Sequence, residues 1–315
     1  MSLDKALDAV VVDCLGVKQG EDVLVVTDPA TYDIGRALTR KARDLGAETV
    51  LAEMSERESH GNEPAAPIAA AMLAADVVIG PTSKSFSHTD ARNKATERGV
   101  RIATMPQVTE DMLARTMSAD FSQVRRLSAA LAGRLSEGSE VRIKAPSGTD
   151  VAFSIEGRKG IPDDGDLTAR GAFGNLPAGE GFIAPVEGLT NGVIAFDGSI
   201  WPIGKLTEPL VIEIANGYAQ NISGSAAEEF RAAIEPYGRE AFAIAELGIG
   251  TNDAATLTGN VLEDEKILGT IHVALGDNHS FGGTIRVSSH QDGIVLDPTV
   301  EIDGKLVMTE GNLTI

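Results

Sequence analysis

The sequence predicts two regions of different class: an open parallel α/β domain over residues 1–125, then a β-rich domain over 136–315. Three observations carry this. The 315 residues fit two domains at about 150 residues each. The first third alternates short apolar runs with amphipathic stretches closed by glycine. Beyond residue 135 the helical period nearly vanishes, and short β-like runs follow one another between Gly and Asn/Asp turns.

In order, Asp22–Asp28 is an apolar run that reads as a buried strand. Ile34, Ala37, Leu38, Ala42 and Leu45 recur at helical spacing among Arg36, Arg40, Lys41 and Arg43, with Gly46 as the C-terminal stop. Residues 48–52 read as strand, 69–75 as helix, 76–80 as strand, 90–97 as helix ahead of Gly99, and 100–104 as strand. This alternation implies a parallel sheet with crossover helices. A connecting helix is expected over 124–135. Seven short strands are then expected at 140–144, 150–155, 192–197, 209–214, 284–288, 293–297 and 305–309, with one helix at 226–234.

Acidic residues number 46 and basic ones 27, a net charge of −19. A field of that sign repels phosphate backbones and anionic lipid, so no nucleic-acid or membrane partner is expected. Cys14 stands alone, which excludes an intrachain disulfide and a thiolate zinc cluster. Charges occupy the first residues where a signal peptide would be apolar, and no run of 18 or more apolar residues occurs, so a cytoplasmic protein is expected.

Of five histidines, His272, His279 and His290 fall close together, amid Asp277 and Asp292 and just after the run Glu263-Asp264-Glu265. Histidine mixed with carboxylate favours a metal or acid–base site. In a strand, His290 and Asp292 would face the same way, as two ligands of one ion must. His272, between Ile271 and Val273, would face away from both. Glu246 lies in an apolar segment, where a carboxylate needs a cation or strong hydrogen bonds. Glu180 sits between two glycines that permit close backbone approach. Phosphate-loop, HExxH and GxSxG patterns are absent, and Gly248-Ile-Gly250 is followed by Asp at 253 where a dinucleotide fingerprint needs glycine.

Five segments resemble the M29 metallopeptidases, the aminopeptidase T and S group. They are Asn175-Leu-Pro-Ala-Gly-Glu180 with Ala184-Pro185, Glu246-Leu-Gly-Ile-Gly-Thr-Asn252, Asp264-Glu-Lys266, Gly269-Thr-Ile-His-Val-Ala-Leu-Gly276 and His290-Gln-Asp292. Ser87-His-Thr89, Arg92 and 101–106 agree more loosely. The resemblance implies two divalent ions (zinc, cobalt or manganese) on Glu180, Glu246, His272, His290 and Asp292, a homodimer, and removal of N-terminal residues from short peptides. Glu265 is the expected general base for a metal-activated water. His279 stands where that family carries tyrosine, and is the expected hydrogen-bond donor to the tetrahedral intermediate. A related branch of the same fold holds 2,5-dihydroxypyridine dioxygenases, which use one iron. On that alternative His272, His290 and Asp292 form the facial triad for Fe(II), with a small-molecule substrate. A third possibility is a binding protein with a structural metal, against which the carboxylate-rich donor set argues.

Overall fold

The computed structural model describes all residues 1–315 and divides into two compact units. The first comprises Met1–Ala119 and Gly165–Ala178, the second Asp120–Asp164 and Gly179–Ile315.

The first unit is a five-stranded parallel sheet. Its order is Glu48–Glu53, Asp22–Thr27, Val77–Thr82, Arg101–Pro106 and Phe173–Asn175. Val77–Thr82 is buried throughout, as expected of a strand covered on both faces. Helix Tyr32–Asp44 buries Ile34, Leu38 and Ala42 and leaves Arg36 and Arg40 outside or at the margin, as its period predicts. The helix expected at 69–75 starts earlier, at Ala66, because Pro67 occupies its first turn, where its missing N–H costs nothing. Thr89 caps Asp90–Glu97 through Arg92 N, and Thr109 caps Glu110–Thr116 through Met112 N.

Two boundaries differ from expectation. The helix expected at 124–135 runs Phe121–Glu137, starts at the Asp120 cap, and is part of the second unit. Its Leu131 and Ser128 lie against Gly181, where any side chain would collide. The chain also returns to the first unit over Gly165–Ala178, to add the fifth strand beside Arg101–Pro106. No helix is long and apolar enough to cross a membrane.

The second unit holds two antiparallel sheets. One has eight strands and includes the expected runs at Glu140–Lys144, Asp150–Ser154, Asn191–Phe196, Leu210–Ala215 and Lys305–Thr309. The other has seven, ordered Gly204–Lys205, Ser199–Ile200, His290–Val295, Ile271–Gly276, Ile244–Gly250, Glu180–Ile183 and Ile161–Asp163. One apolar core joins them: Val141, Ile143, Phe153, Ile194 and Ile212 from the first sheet, and Ile183, Leu247, Ile249, Val273, Leu275 and Val295 from the second. The strand expected at 284–288 does not form. Its amides bond to side chains instead of a neighbouring strand: Thr284 N to Glu187 Oε1 (2.7 Å), Ile285 N to Asn278 Oδ1 (2.9 Å) and Val287 N to Asp277 Oδ1 (3.3 Å).

Candidate metal centre

The seven-stranded sheet gives one face to the core and the other to the site. Antiparallel partners point the same way, and alternate residues share a face. Glu246 pairs with Ala274 and Ala274 with Asp292. Gly248 pairs with His272, Gly276 with His290, and Gly250 with Glu180. Glu180, Glu246, His272, His290 and Asp292 therefore project from one face, and Ala274, Gly248, Gly250 and Gly276 leave room between them. A bulge between Ile244 and Glu246 makes this possible. It keeps Ile244 in the core and turns Glu246 to the opposite face.

Glycine sets the depth of the site. A Cβ at Gly248 would lie 2.1 Å from His272 Cε1 and Nε2, so the imidazole lies across a position that only glycine can occupy. A Cβ at Gly250 would meet Ile267 O at 2.0 Å. The segment Lys266–Ile267 thus crosses the sheet directly, held by Asn252 N to Lys266 O at 2.8 Å.

The donor atoms converge. His272 Nε2 is 2.9 Å from Glu180 Oε2 and 3.4 Å from Glu246 Oε1. His290 Nε2 is 3.4 Å from both Glu246 Oε2 and Asp292 Oδ1. Three overlapping sets each bring their ligand atoms within 4.8 Å: Glu180, Glu246 and His272; Glu246, His290 and Asp292; and Glu265, His272 and Asp292. The His290 ring is oriented by its Nδ1, 2.8 Å from Asp277 O, which leaves Nε2 for the centre. His272 Nδ1 has no hydrogen-bond partner, so packing against Gly248 fixes that ring instead.

This arrangement fits a divalent ion. Imidazole nitrogens and carboxylate oxygens are its proper donors. Glu180 Oε2 is buried and receives no aligned hydrogen bond, despite its short separation from His272. The charge states agree. Burial pushes Glu246 up, but hydrogen bonds from His272 and His290 outweigh it and hold Glu246 well below the usual carboxylate range. Burial pushes both histidines down, but Glu180 and Glu246 around His272, and Asp292 and Glu246 around His290, raise them well above 6.5. Without a metal, protons supply the cationic charge that the carboxylates require.

All the expected ligands are brought together. Of the two residues expected to handle protons, Glu265 joins them and His279 does not. Burial pushes Glu265 up to about 8, with Lys266 opposing and Glu180 and Asp292 adding to the rise. His279 is exposed on the short turn His279–Phe281, where its Nε2 meets Arg286 Nη2, and it belongs to none of the donor sets. The turn carries it out to solvent.

The acidic run divides three ways. Glu263 accepts from Thr256 N at 2.8 Å. Asp264 accepts from Thr258 N, Thr258 Oγ1, Gly259 N and Ser199 Oγ. These two carboxylates pin a loop; only Glu265 faces the centre. The sequence marks Lys266 only as part of the segment Asp264-Glu-Lys266 and assigns it no role, and it does not mark Asp163 at all. The Lys266 side chain has no exposed surface and reaches Glu180 (2.5 Å), Glu265 (2.8 Å) and Asp163 (3.1 Å). Its signal was the apolar run Ile-Leu-Gly-Thr-Ile directly after it; Asp163, in Ile161-Pro-Asp-Asp164, gave none.

The sequence profile described as NicX, 2,5-dihydroxypyridine 5,6-dioxygenase, matches residues 4–315. The chain belongs to the NicX family. Among solved structures, it is similar to the 2,5-dihydroxypyridine dioxygenase from Pseudomonas putida KT2440, with 20% identity over 99% of this chain and 96% of that one and a TM-score of 0.85. It is also similar to AmpT from Thermus thermophilus, with 17% identity over 99% of both chains and a TM-score of 0.74. No curated protein matches. The M29 resemblance therefore holds for the fold, which both neighbours share, while the family itself is the dioxygenase's. This NicX-family chain is an enzyme of that fold.

Proposed function

We propose that this NicX-family protein is an Fe(II)-dependent dioxygenase that opens a hydroxylated pyridine ring. The observation that carries the reading is the family match across nearly the whole chain. The site supports it: the two histidines and Asp292 lie on adjacent strands, and each histidine shares one donor set with Asp292. His272, His290 and Asp292 would hold the ion. Bound there, iron supplies the electron exchange that lets O2 react with a closed-shell ring. Both oxygen atoms enter the product as one ring bond breaks, so no external reductant is required.

The rest falls to the chain's own side chains. Glu265, a buried carboxyl beside His272 and Asp292, is placed to take a proton from a ring hydroxyl and return it. Phe182 shares the site face and packs edge-on to Phe281 at 5.6 Å; Phe281 in turn stands edge-on to His290 at 6.0 Å. This aromatic wall suits a flat ring better than an extended peptide.

A second reading, a metal-dependent aminopeptidase on short peptides, is favoured by Glu180 and Glu246, which a facial triad does not use but a two-ion hydrolytic centre does. One experiment separates the two. Protein loaded anaerobically with Fe(II) should take up one O2 per 2,5-dihydroxypyridine consumed, and His290→Ala should fall to background. No uptake with hydroxypyridines or catechols, together with hydrolysis of aminoacyl chromogenic substrates by cobalt- or zinc-loaded protein, would overturn the dioxygenase reading.

A further inference from the structure

We propose that Arg92, with Asn175 beside it, forms a binding site in the first unit for a small monocarboxylate. This site does not depend on the metal centre or on the reaction proposed there.

Three Lys or Arg side chains are buried: Arg92, Arg101 and Lys266. Arg101 is paired with Glu21 at 2.6 Å, and Lys266 with three carboxylates. Arg92 is 6% exposed and is paired with none. A buried charge needs an opposite charge at hand, because leaving water uncompensated is costly. Burial alone, with no charged neighbour opposing it, pushes this guanidinium down to about 10. An anion at the same place would offset that cost.

The side chain is held in a way that leaves its fork free. Its Nε donates to Ser87 O at 2.6 Å, and its Cζ lies 3.9 Å from the centre of the Phe173 ring. One edge and one face of the guanidinium are thus used. The two Nη groups, which grip a carboxylate in bidentate fashion, meet no acceptor and are not sealed from solvent. Phe173 and Asn175 alternate on one short strand and so share a face. Asn175 Oδ1 accepts from Thr104 Oγ1 at 2.7 Å and from Ser87 Oγ at 3.4 Å, which leaves its Nδ2 amide as a further donor. Ser87 therefore touches Arg92 through its carbonyl and Asn175 through its hydroxyl. Asn175 ends its strand, beside Thr104 of the next. The carboxyl ends of parallel strands are where open α/β sheets bind ligands.

The donors also set the charge of the ligand. The helix Asp90–Glu97 has its first amides already taken: Asp90 N and Ala91 N donate to Glu63 at 2.6 and 3.2 Å, and Arg92 N to Thr89 Oγ1 at 3.3 Å. No amides remain there for a phosphate, and one guanidinium balances one negative charge. The net charge of −19 disfavours a dianion further. A planar monocarboxylate matches both the fork and the charge.

The test is a titration of the full chain with sodium acetate, followed by proton–nitrogen NMR at Arg92 Nε and at the Asn175 side-chain amide. Both signals should shift and saturate, with half-effect on the order of 1–10 mM for so small a ligand. Sodium chloride and sodium phosphate should act at least about tenfold more weakly. Arg92→Lys keeps the charge but not the fork, and should weaken acetate at least about tenfold when read at the Asn175 amide. Asn175→Asp places a carboxylate beside the fork and should abolish acetate binding when read at Arg92 Nε. No saturable shift with acetate would overturn the site. Phosphate or chloride binding as tightly as acetate would overturn the carboxylate assignment. These wild-type titrations decide the matter whether or not either variant folds. A folded Arg92→Lys that binds acetate like the wild type would also overturn it.

Discussion

Asp28 in the first unit and Glu180 in the second are both buried carboxylates, with very different surroundings. Asp28 follows the strand Asp22–Thr27, at the point where the strand order of the parallel sheet reverses. That is where open α/β sheets usually bind ligands. Here Asp28 Oδ2 accepts from Ser83 N and Ser83 Oγ, and Oδ1 accepts from Ala30 N and Thr31 Oγ1. Amides and hydroxyls meet both of its oxygens, and it joins the ends of two strands. Glu180 finds only ionisable side chains, Lys266 and His272. A buried carboxylate answered by amides and hydroxyls holds a loop in place. One answered by groups that can exchange a proton or a metal is a site. The run 263–265 repeats the contrast within three residues, since Asp264 is satisfied like Asp28 and Glu265 like Glu180.

The sharpest way to break this comparison is Gly248→Ala. The residue is not in the left-handed region, so the backbone tolerates alanine, but the new Cβ would displace the His272 imidazole. Metal affinity should fall at least about 100-fold, the upper range for disturbing what orients a ligand. The metal-free protein should lose only about 1–2 kcal/mol from overpacking. Isothermal titration and urea denaturation measure the two separately. Unchanged metal affinity would show that His272 does not ligate.

That glycine also shows how much of the site was legible. Glu246, His272, His290 and Asp292 could be read from residue type, because a carboxylate or imidazole inside an apolar β-like run asks for a partner. Glu180 was not separable from a turn glutamate and came from resemblance. What places the five together is register, and register was hidden. Gly248 and Gly250 suggest by sequence only the start of a dinucleotide fingerprint, which Asp253 breaks, yet they lie inside a strand, where they admit His272 and Ile267. The bulge at Ile244/Glu246 leaves no mark in the sequence. The parallel sheet was legible because its strands are continuous apolar runs; its fifth strand, Phe173-Gly-Asn175, is too short to show any period. His279 misled because closeness in sequence to His272 says nothing about a turn that carries it to solvent.

Asp28→Ala is the reciprocal test. Two backbone amides and the Ser83 hydroxyl lose their acceptor, while Thr31 Oγ1 keeps Pro81 O at 2.6 Å; stability should fall by about 2–3 kcal/mol, since buried donors left unmet cost about 1–3 kcal/mol each and some will find water. Metal affinity should not change. Urea midpoints and metal titration on the same preparation check it. A fall in metal affinity as large as that of Gly248→Ala would mean that the satisfied and unsatisfied carboxylates do not form separate classes.

The smallest effect separates the units by the direction in which their histidines titrate. In the second unit carboxylates raise His272 and His290. In the first, burial pushes His60 down to about 4, with Lys84 adding to it. The unfolded chain takes up the His60 proton below about pH 6.5, whereas the folded chain resists until about pH 4. More protons are bound to the unfolded state across that window, so His60 makes stability rise with pH there. Between pH 7 and 4.5 it should cost the fold about 2 kcal/mol, after allowance for its partial exposure. The raised histidines work the other way: their ion pairs are fully stabilising below pH 6.5 and are lost as pH rises through their folded values. Urea denaturation of metal-free protein at pH 7 and 4.5, with and without His60→Gln, isolates the first-unit contribution, because the second-unit histidines cancel in the difference. The variant should lose less stability on acidification than the wild type. Equal losses would show that His60 takes up its proton in the folded chain as readily as in the unfolded one.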